Sequence, residues 1–248
     1  MSVAKKQIPP VRLAQLNTGQ VAAADLSECL AVDFAVLMQA TVPDLPATAT
    51  GELQAAAATG ITARMTLAAR LLRQHGVDME MLRGHPADTV RGWACYLVAV
   101  EKDAALPAKL ERMRPLADDP HFGVREWAWL ALRQNIIAAP LLAMEHLLPW
   151  TAAPSANLRR FACEALRPRG VWSAHIALFK EEPRHALPLL EALAMDPSRY
   201  VQDSVANWLN DAGKTRPDFV RELVARWAKT HTGDASTYIR KRALRNLT

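Results

Sequence analysis

The sequence predicts an all-α chain built from stacked helical repeats, and three observations carry that expectation. Ala and Leu are abundant, whereas only 10 of 248 residues are Gly and 6% are aromatic, with few β-branched runs to feed a sheet. Half of the chain is hydrophobic and 22% is charged, which supplies a sizeable core and excludes a wholly disordered chain. A proline followed four residues later by an aliphatic anchor recurs along the chain, as Pro86/Val90, Pro120/Val124, Pro154/Leu158 and Pro197/Val201. Ile239 is a fifth anchor without the proline.

Taken in order, residues 1–84 carry no repeat and read as an N-terminal helical capping region of the same domain. Within them Leu26 to Gln39 and Ile61 to His75 have helical character. Ile8-Pro9-Pro10, Pro43 to Pro46 and Thr48 to Gly51 read as loops. Residues 85–248 hold the repeats. The first three anchors are 34 residues apart and the later steps are wider, a spacing of the HEAT helical-pair type. Positions four and eight after each anchor are Ala94/Val98, Ala128/Leu132, Ala162/Leu166, Val205/Leu209 and Ala243/Leu247. At 100° per residue they form one apolar stripe that faces a core. Asp119-Pro120 and Asp196-Pro197 suit helix starts, with Asp as cap and Pro in the first turn. Leu187 to Met195 and Phe219 to Trp227 read as partner helices, with Asp211 to Lys214 and Thr232 to Asp234 as connectors. The expected architecture is a HEAT-like solenoid, an α-α superhelix with a concave basic face.

The formal net charge is +5, and the whole excess lies beyond residue 84, because residues 1–84 hold seven basic and seven acidic side chains. A polyanion partner is compatible with that asymmetry. Cys29, Cys95 and Cys163 are far apart and odd in number, which argues against a disulfide framework or a zinc site. The histidines show no HxxxH or HExxH spacing, and GxGxxG, GxxxxGK[ST] and GxSxG are absent. No metal, nucleotide cofactor or hydrolase elbow is therefore expected. The start of the chain lacks an apolar signal region, and the stretch from Asn135 to Trp150 is broken by Pro140 and Glu145. A soluble, cytoplasmic and monomeric protein without a membrane partner is the expectation.

Opposite the core stripe stand Gly92/Tyr96, Glu126/Leu130, Arg160/Glu164, Asp203/Asn207 and Lys241/Arg245. One position after each anchor come Arg91, Arg125, Arg159, Gln202 and Arg240. Such a basic row is either a solvated helix face or a set of phosphate contacts. Arg160 lies four residues before Glu164, so the two share a face. With Glu126 on the neighbouring repeat they read either as a helix-surface ion pair or as paired carboxylates beside an arginine. The second arrangement suits stabilising a developing cation while a phosphate is held. Trp127 falls near the core edge. Trp172 follows Arg167-Pro168-Arg169-Gly170 in an expected loop, where an aromatic ring is placed to stack on a nucleotide.

Two blocks give these residues a context. The first runs from Asp196 through Val201-Gln202-Asp203-Ser204-Val205-Ala206-Asn207-Trp208-Leu209-Asn210-Asp211, followed by Lys214 and Pro217. The second is Asn157-Leu158-Arg159-Arg160-Phe161-Ala162-Cys163-Glu164-Ala165-Leu166-Arg167-Pro168-Arg169 with Trp172. They resemble the HEAT-like alkylpurine DNA glycosylases of the AlkC/AlkD group, on the AlkC side, and His121 to Ala128 is a weaker third match. The resemblance covers roughly residues 119–248. It implies removal of cationic N3- or N7-alkylated purines from duplex DNA. By position it implies that Glu126 and Glu164 stabilise the oxocarbenium-like sugar and place water. It also implies that Arg160 holds a phosphate and that Trp127 and Trp172 lie near the lesion. Arg125, Arg159, Asn207, Arg240 and Lys241 are the further expected DNA contacts. No lysine occupies the matched positions, so strand cleavage through a Schiff base is not expected. Two alternatives stand beside this one: a repeat protein that binds damaged or branched DNA without excising a base, and a protein-binding scaffold. Leu130, where AlkC-type sequences carry arginine, speaks for the first of them.

Overall fold

The protein is described here by a computed structural model that covers residues 8–170 and 173–247. Among these residues every regular element is helical, as composition predicts. The chain forms two compact units, residues up to 103 with 119–131, and residues 104–118 with 132 onward. The first unit holds α1 (Pro10–Asn17), α2 (Leu26–Ala31), α3 (Phe34–Thr41), α4 (Ala47–Ala55), α5 (Ile61–Gln74), α6 (Met79–Arg83) and α7 (Asp88–Val100). It also takes the start of α9 (Phe122–Ala138). The second unit holds α8 (Leu106–Ala117), the end of α9, α10 (Pro140–Leu147), α11 (Ala156–Ala165) and α12 (Ala177–Glu181). It continues with α13 (Leu187–Leu193), α14 (Arg199–Gly213), α15 (Pro217–Thr230) and α16 (Asp234–Ala243).

The anchors behave as the periodicity requires. Val90, Val124, Leu158, Val201 and Ile239 are all buried, as are Ala94, Ala128, Ala162, Val205 and Ala243 one turn later. The row of arginines just after the anchors does something that the sequence alone did not separate from solvation or phosphate contact. In the first unit the Arg91 Nη1 donates to the carbonyls of His85 and Pro86, while Nε and Nη2 grip the Asp119 carboxylate at 2.8 and 3.2 Å. The Arg125 Nη1 clamps the carbonyls of Asp119 and Pro120 in the same way. The second unit repeats the device: Arg159 binds the Ala153 and Pro154 carbonyls and takes Asp196 with Nε and Nη2. Each of these aspartates also accepts a backbone N–H two residues on, from His121 and Ser198. The arginine thus ties the turn before its own helix to the turn before a later one. These aspartates therefore do not cap from the last position before the helix, and Pro120 and Pro197 precede the helices rather than entering their first turns. Gln202 keeps only the carbonyl clamp, to Asp196 at 2.8 Å.

Three expected boundaries move. Residues 26–39 are two helices, because Asp33 turns its carboxylate onto the N–H groups of Ala35 and Val36 and starts α3 afresh. Residues 48–51 are helical within α4. Asp211 to Gly213 complete α14 instead of connecting, held by the buried Asp211 and by Gly213 packing on Leu247.

Gly92, in the middle of α7, has a packing reason. A Cβ there would come within 2.6 Å of both the Trp127 Cδ1 and the Met65 Cε. Gly92→Ala gains helix propensity but forces the indole aside. We expect a net loss of about 1–2 kcal/mol in urea unfolding; a more stable variant would contradict this packing.

Candidate functional site

Ser155 caps α11: its hydroxyl accepts the Asn157 N–H and donates to the Asp118 carboxylate. Leu158 turns into the core, which sends Arg160 and Glu164 to the side that α14 covers. Both are buried, at 8% and 3% exposure. Glu164 Oε2 accepts the Ser204 hydroxyl at 2.6 Å and lies 3.5 Å from the Arg160 Nη2, while Oε1 accepts the Arg167 Nη1 at 2.6 Å. Burial alone would raise the Glu164 pKa. The charges of Arg160 and Arg167 and the bonds from Ser204 and Arg167 outweigh it and hold the carboxyl below its ordinary range. The Arg160 guanidinium lies over the Tyr200 ring, 5.0 Å from its centroid. The expected Arg160–Glu164 pair is thus formed, inside a larger network.

That network holds residues not singled out in the sequence. Arg167 reaches past Glu164 to Asp211 with Nε and Nη2 at 2.9 and 2.6 Å, and Lys214 closes on the other Asp211 oxygen at 3.0 Å. Arg133 on α9 is 2% exposed and donates to the carbonyls of Ala165, Arg167 and Ala174. The Trp208 indole N–H takes the Leu166 carbonyl between them. Three successive carbonyls at the end of α11 therefore find side-chain donors where the helix leaves them orphaned. Spacing offers a signal for Arg167 and Lys214, each three residues after an acid; Arg133 carries none. Burial pushes Arg133 down to about 10, so it remains a cation at neutral pH. Cys163 is pushed up to about 12, chiefly by burial, and is no thiolate nucleophile.

Asn207 stands one turn beyond Asp203 on α14, half-buried, and accepts from the Arg245 Nη2 at 2.9 Å. Arg240 bonds the Ser236 carbonyl and Thr237 hydroxyl, and Lys241 is exposed on the same helix. Glu126 and Trp127 belong to the first unit. Glu126 is half-buried and accepts the Trp129 indole N–H at 2.8 Å. Trp127 is buried over Gly92, and its indole N–H has no hydrogen-bond partner among the described residues. Trp172 lies outside the described residues. The three cysteines are buried and unpaired, and no cluster suited to a metal ion occurs among the described residues. No helix there is long and apolar enough to cross a membrane.

Residues 132–247 match the family described as DNA alkylation repair enzyme. YhaZ of Bacillus subtilis strain 168, an uncharacterized protein, is 36% identical over 140 residues, which is 55% of this chain and 37% of YhaZ. The Pseudomonas fluorescens alkylpurine DNA glycosylase AlkC, solved on DNA containing an abasic site analog, superposes with a TM-score of 0.66 at 23% identity. That match covers 86% of this chain and 60% of AlkC. AlkD2 from Streptococcus mutans superposes with a TM-score of 0.57 at 23% identity, over 80% of this chain and 87% of that one. The all-α, HEAT-like helical-repeat fold expected from the sequence is shared with both.

Proposed function

We propose that the chain is a monofunctional DNA glycosylase that removes cationic N3- or N7-alkylated purines from duplex DNA, acting without a cofactor and as a monomer in the cytoplasm. The observation that carries this reading is the Arg160–Glu164 pair on α11, set in the stretch that resembles the AlkC side of the family. A cationic base is already a good leaving group, so no strong general acid is needed, and charge placed near the sugar supplies the effect. Glu126 is the carboxylate proposed to face the developing oxocarbenium and its water. Glu164 is proposed to share that work while holding Arg160 for a backbone phosphate. Trp127 and Trp172 are proposed beside the lesion, and Asn207, Arg240 and Lys241 along the backbone. Arg125 and Arg159 are proposed to serve at one remove, by fixing the turns before α9 and α11.

A base-release assay on methylated duplex tests this. Glu126→Gln and Glu164→Gln are each expected to lower the release rate by about 100-fold or more, with DNA binding largely kept. Wild-type protein that releases no base would end the glycosylase reading. A second reading, a DNA-binding repeat protein without excision, is favoured by one observation: both Glu164 oxygens are engaged within the chain. It predicts salt-dependent binding and no released base.

A further inference from the structure

α14 carries Arg199, Asp203 and Asn207 at four-residue intervals, so the three share one face. Arg199 is exposed, and its guanidinium lies over the Tyr238 ring of α16, 3.5 Å from the centroid. Tyr238 is itself held: its hydroxyl donates to the Asp203 carboxylate at 2.6 Å. Arg242 approaches the ring at 5.6 Å and pairs with Asp203 at 3.4 Å. The Asp203 charge is thereby answered by Arg242 and Tyr238, not by Arg199. No hydrogen bond or ion pair to Arg199 occurs among the described residues. A guanidinium held over an aromatic ring is restrained by that contact while its N–H groups stay available, and arginine takes two phosphate oxygens at once. We infer that Arg199, oriented by Tyr238, is a contact site for a backbone phosphate of duplex DNA. It lies on the same face of α14 as Asn207, already proposed as a DNA contact. The inference rests on the DNA-binding part of the proposed function, which both readings above share.

The face has the right composition for this ligand. Arg242 of α16 lies against the same ring, and Arg245, just past the end of α16, reaches Asn207 further along α14. A phosphodiester held at Arg199 would have Arg242 across the same ring and would meet an acid that is already paired. The aromatic ring also lowers the ordering cost of binding, because the arginine is placed before the DNA arrives.

The test is fluorescence anisotropy with a labelled duplex, titrated at several salt concentrations. Arg199→Ala is expected to weaken binding by about fivefold to tenfold at 0.1 M salt. It should also lower the slope of log affinity against log salt by about 0.9, the share of one phosphate. Lys229→Ala, which removes one exposed charge on α15, is expected to leave that slope unchanged. Tyr238→Leu keeps the charge and removes the platform; a loss of about twofold to fivefold is expected, the worth of an exposed cation–π contact. Thermal melts of Arg199→Ala and Lys229→Ala should match wild type, because both side chains are exposed, whereas Tyr238→Leu also gives up the bond to Asp203 and is read at a temperature well below its own melt. Excess inorganic phosphate at matched ionic strength should leave the ratio of wild-type to Arg199→Ala affinity unchanged; collapse of that ratio would mark a free-anion site and overturn the assignment. An Arg199→Ala variant with wild-type affinity and slope, in a protein that does bind duplex, overturns this site alone. A wild-type protein without duplex affinity overturns it together with the reading beneath it.

Discussion

Arg133→Ala is expected to remove about 3–5 kcal/mol of folding stability, the largest loss predicted for any single substitution away from the carboxylates. The side chain is 2% exposed and spends three guanidinium donors on the carbonyls of Ala165, Arg167 and Ala174. Truncation leaves three acceptors without a donor at a helix end that packing keeps from water. An unsatisfied buried polar group costs about 1–3 kcal/mol. Arg133→Lys tests the geometry separately from the charge. A single ammonium on a flexible stem does not reproduce a planar fork bound to three carbonyls, so most of the loss should remain. Urea unfolding measures both: the midpoint should fall while the slope stays constant, which marks a stability change in an unaltered transition. A loss under about 1 kcal/mol for Arg133→Ala would show that the end of α11 is satisfied by other means.

The repeats were legible because they rest on short-range geometry. An anchor such as Val124 and its partner Ala128 lie on one stripe whatever surrounds them, and both are buried. The Arg160–Glu164 pair was legible for the same reason, since four residues bring two side chains to one face. What escaped depends on chain segments far apart in sequence. Ser204 meets Glu164 across 40 residues and Asp211 meets Arg167 across 44, so no local pattern exposes either contact. The arginines after the anchors showed as a row, but a row does not say where the guanidinium points. Carbonyls five and six residues back, and an aspartate from a later turn, pull Arg91 and Arg159 inward. The break at Asp33 was missed because an aspartate inside an apolar helical run competes for backbone N–H groups that periodicity ignores.

Glu164→Ala should cost about 3 kcal/mol or more at neutral pH, because it strips a buried partner from Arg160 and Arg167 at once. Glu164→Gln should cost less, about 1–2 kcal/mol, since an amide still offers an oxygen to Arg167 and a donor to the Ser204 hydroxyl. The gap between wild type and the glutamine variant must also depend on pH. Glu164 titrates below its ordinary value of 4.5 in the folded chain, where burial is outweighed by the two guanidinium charges and the bonds from Ser204 and Arg167. A carboxyl depressed on folding contributes stability that is present above the unfolded value and is lost as pH falls through the folded one. Other depressed carboxyls, such as Glu28 against Arg12, act equally in both proteins and cancel in the difference. Urea unfolding at pH 7 should therefore show the full gap, and the gap should close on acidification from about pH 4.5 downward. A gap that stays constant across that range would mean that the carboxyl is not held ionised by its arginines. A glutamine variant that stays folded at pH 7 yet loses base release would place the missing charge in the chemistry and not in the scaffold. Equal loss of stability and release would return Glu164 to the frame that supports Arg160.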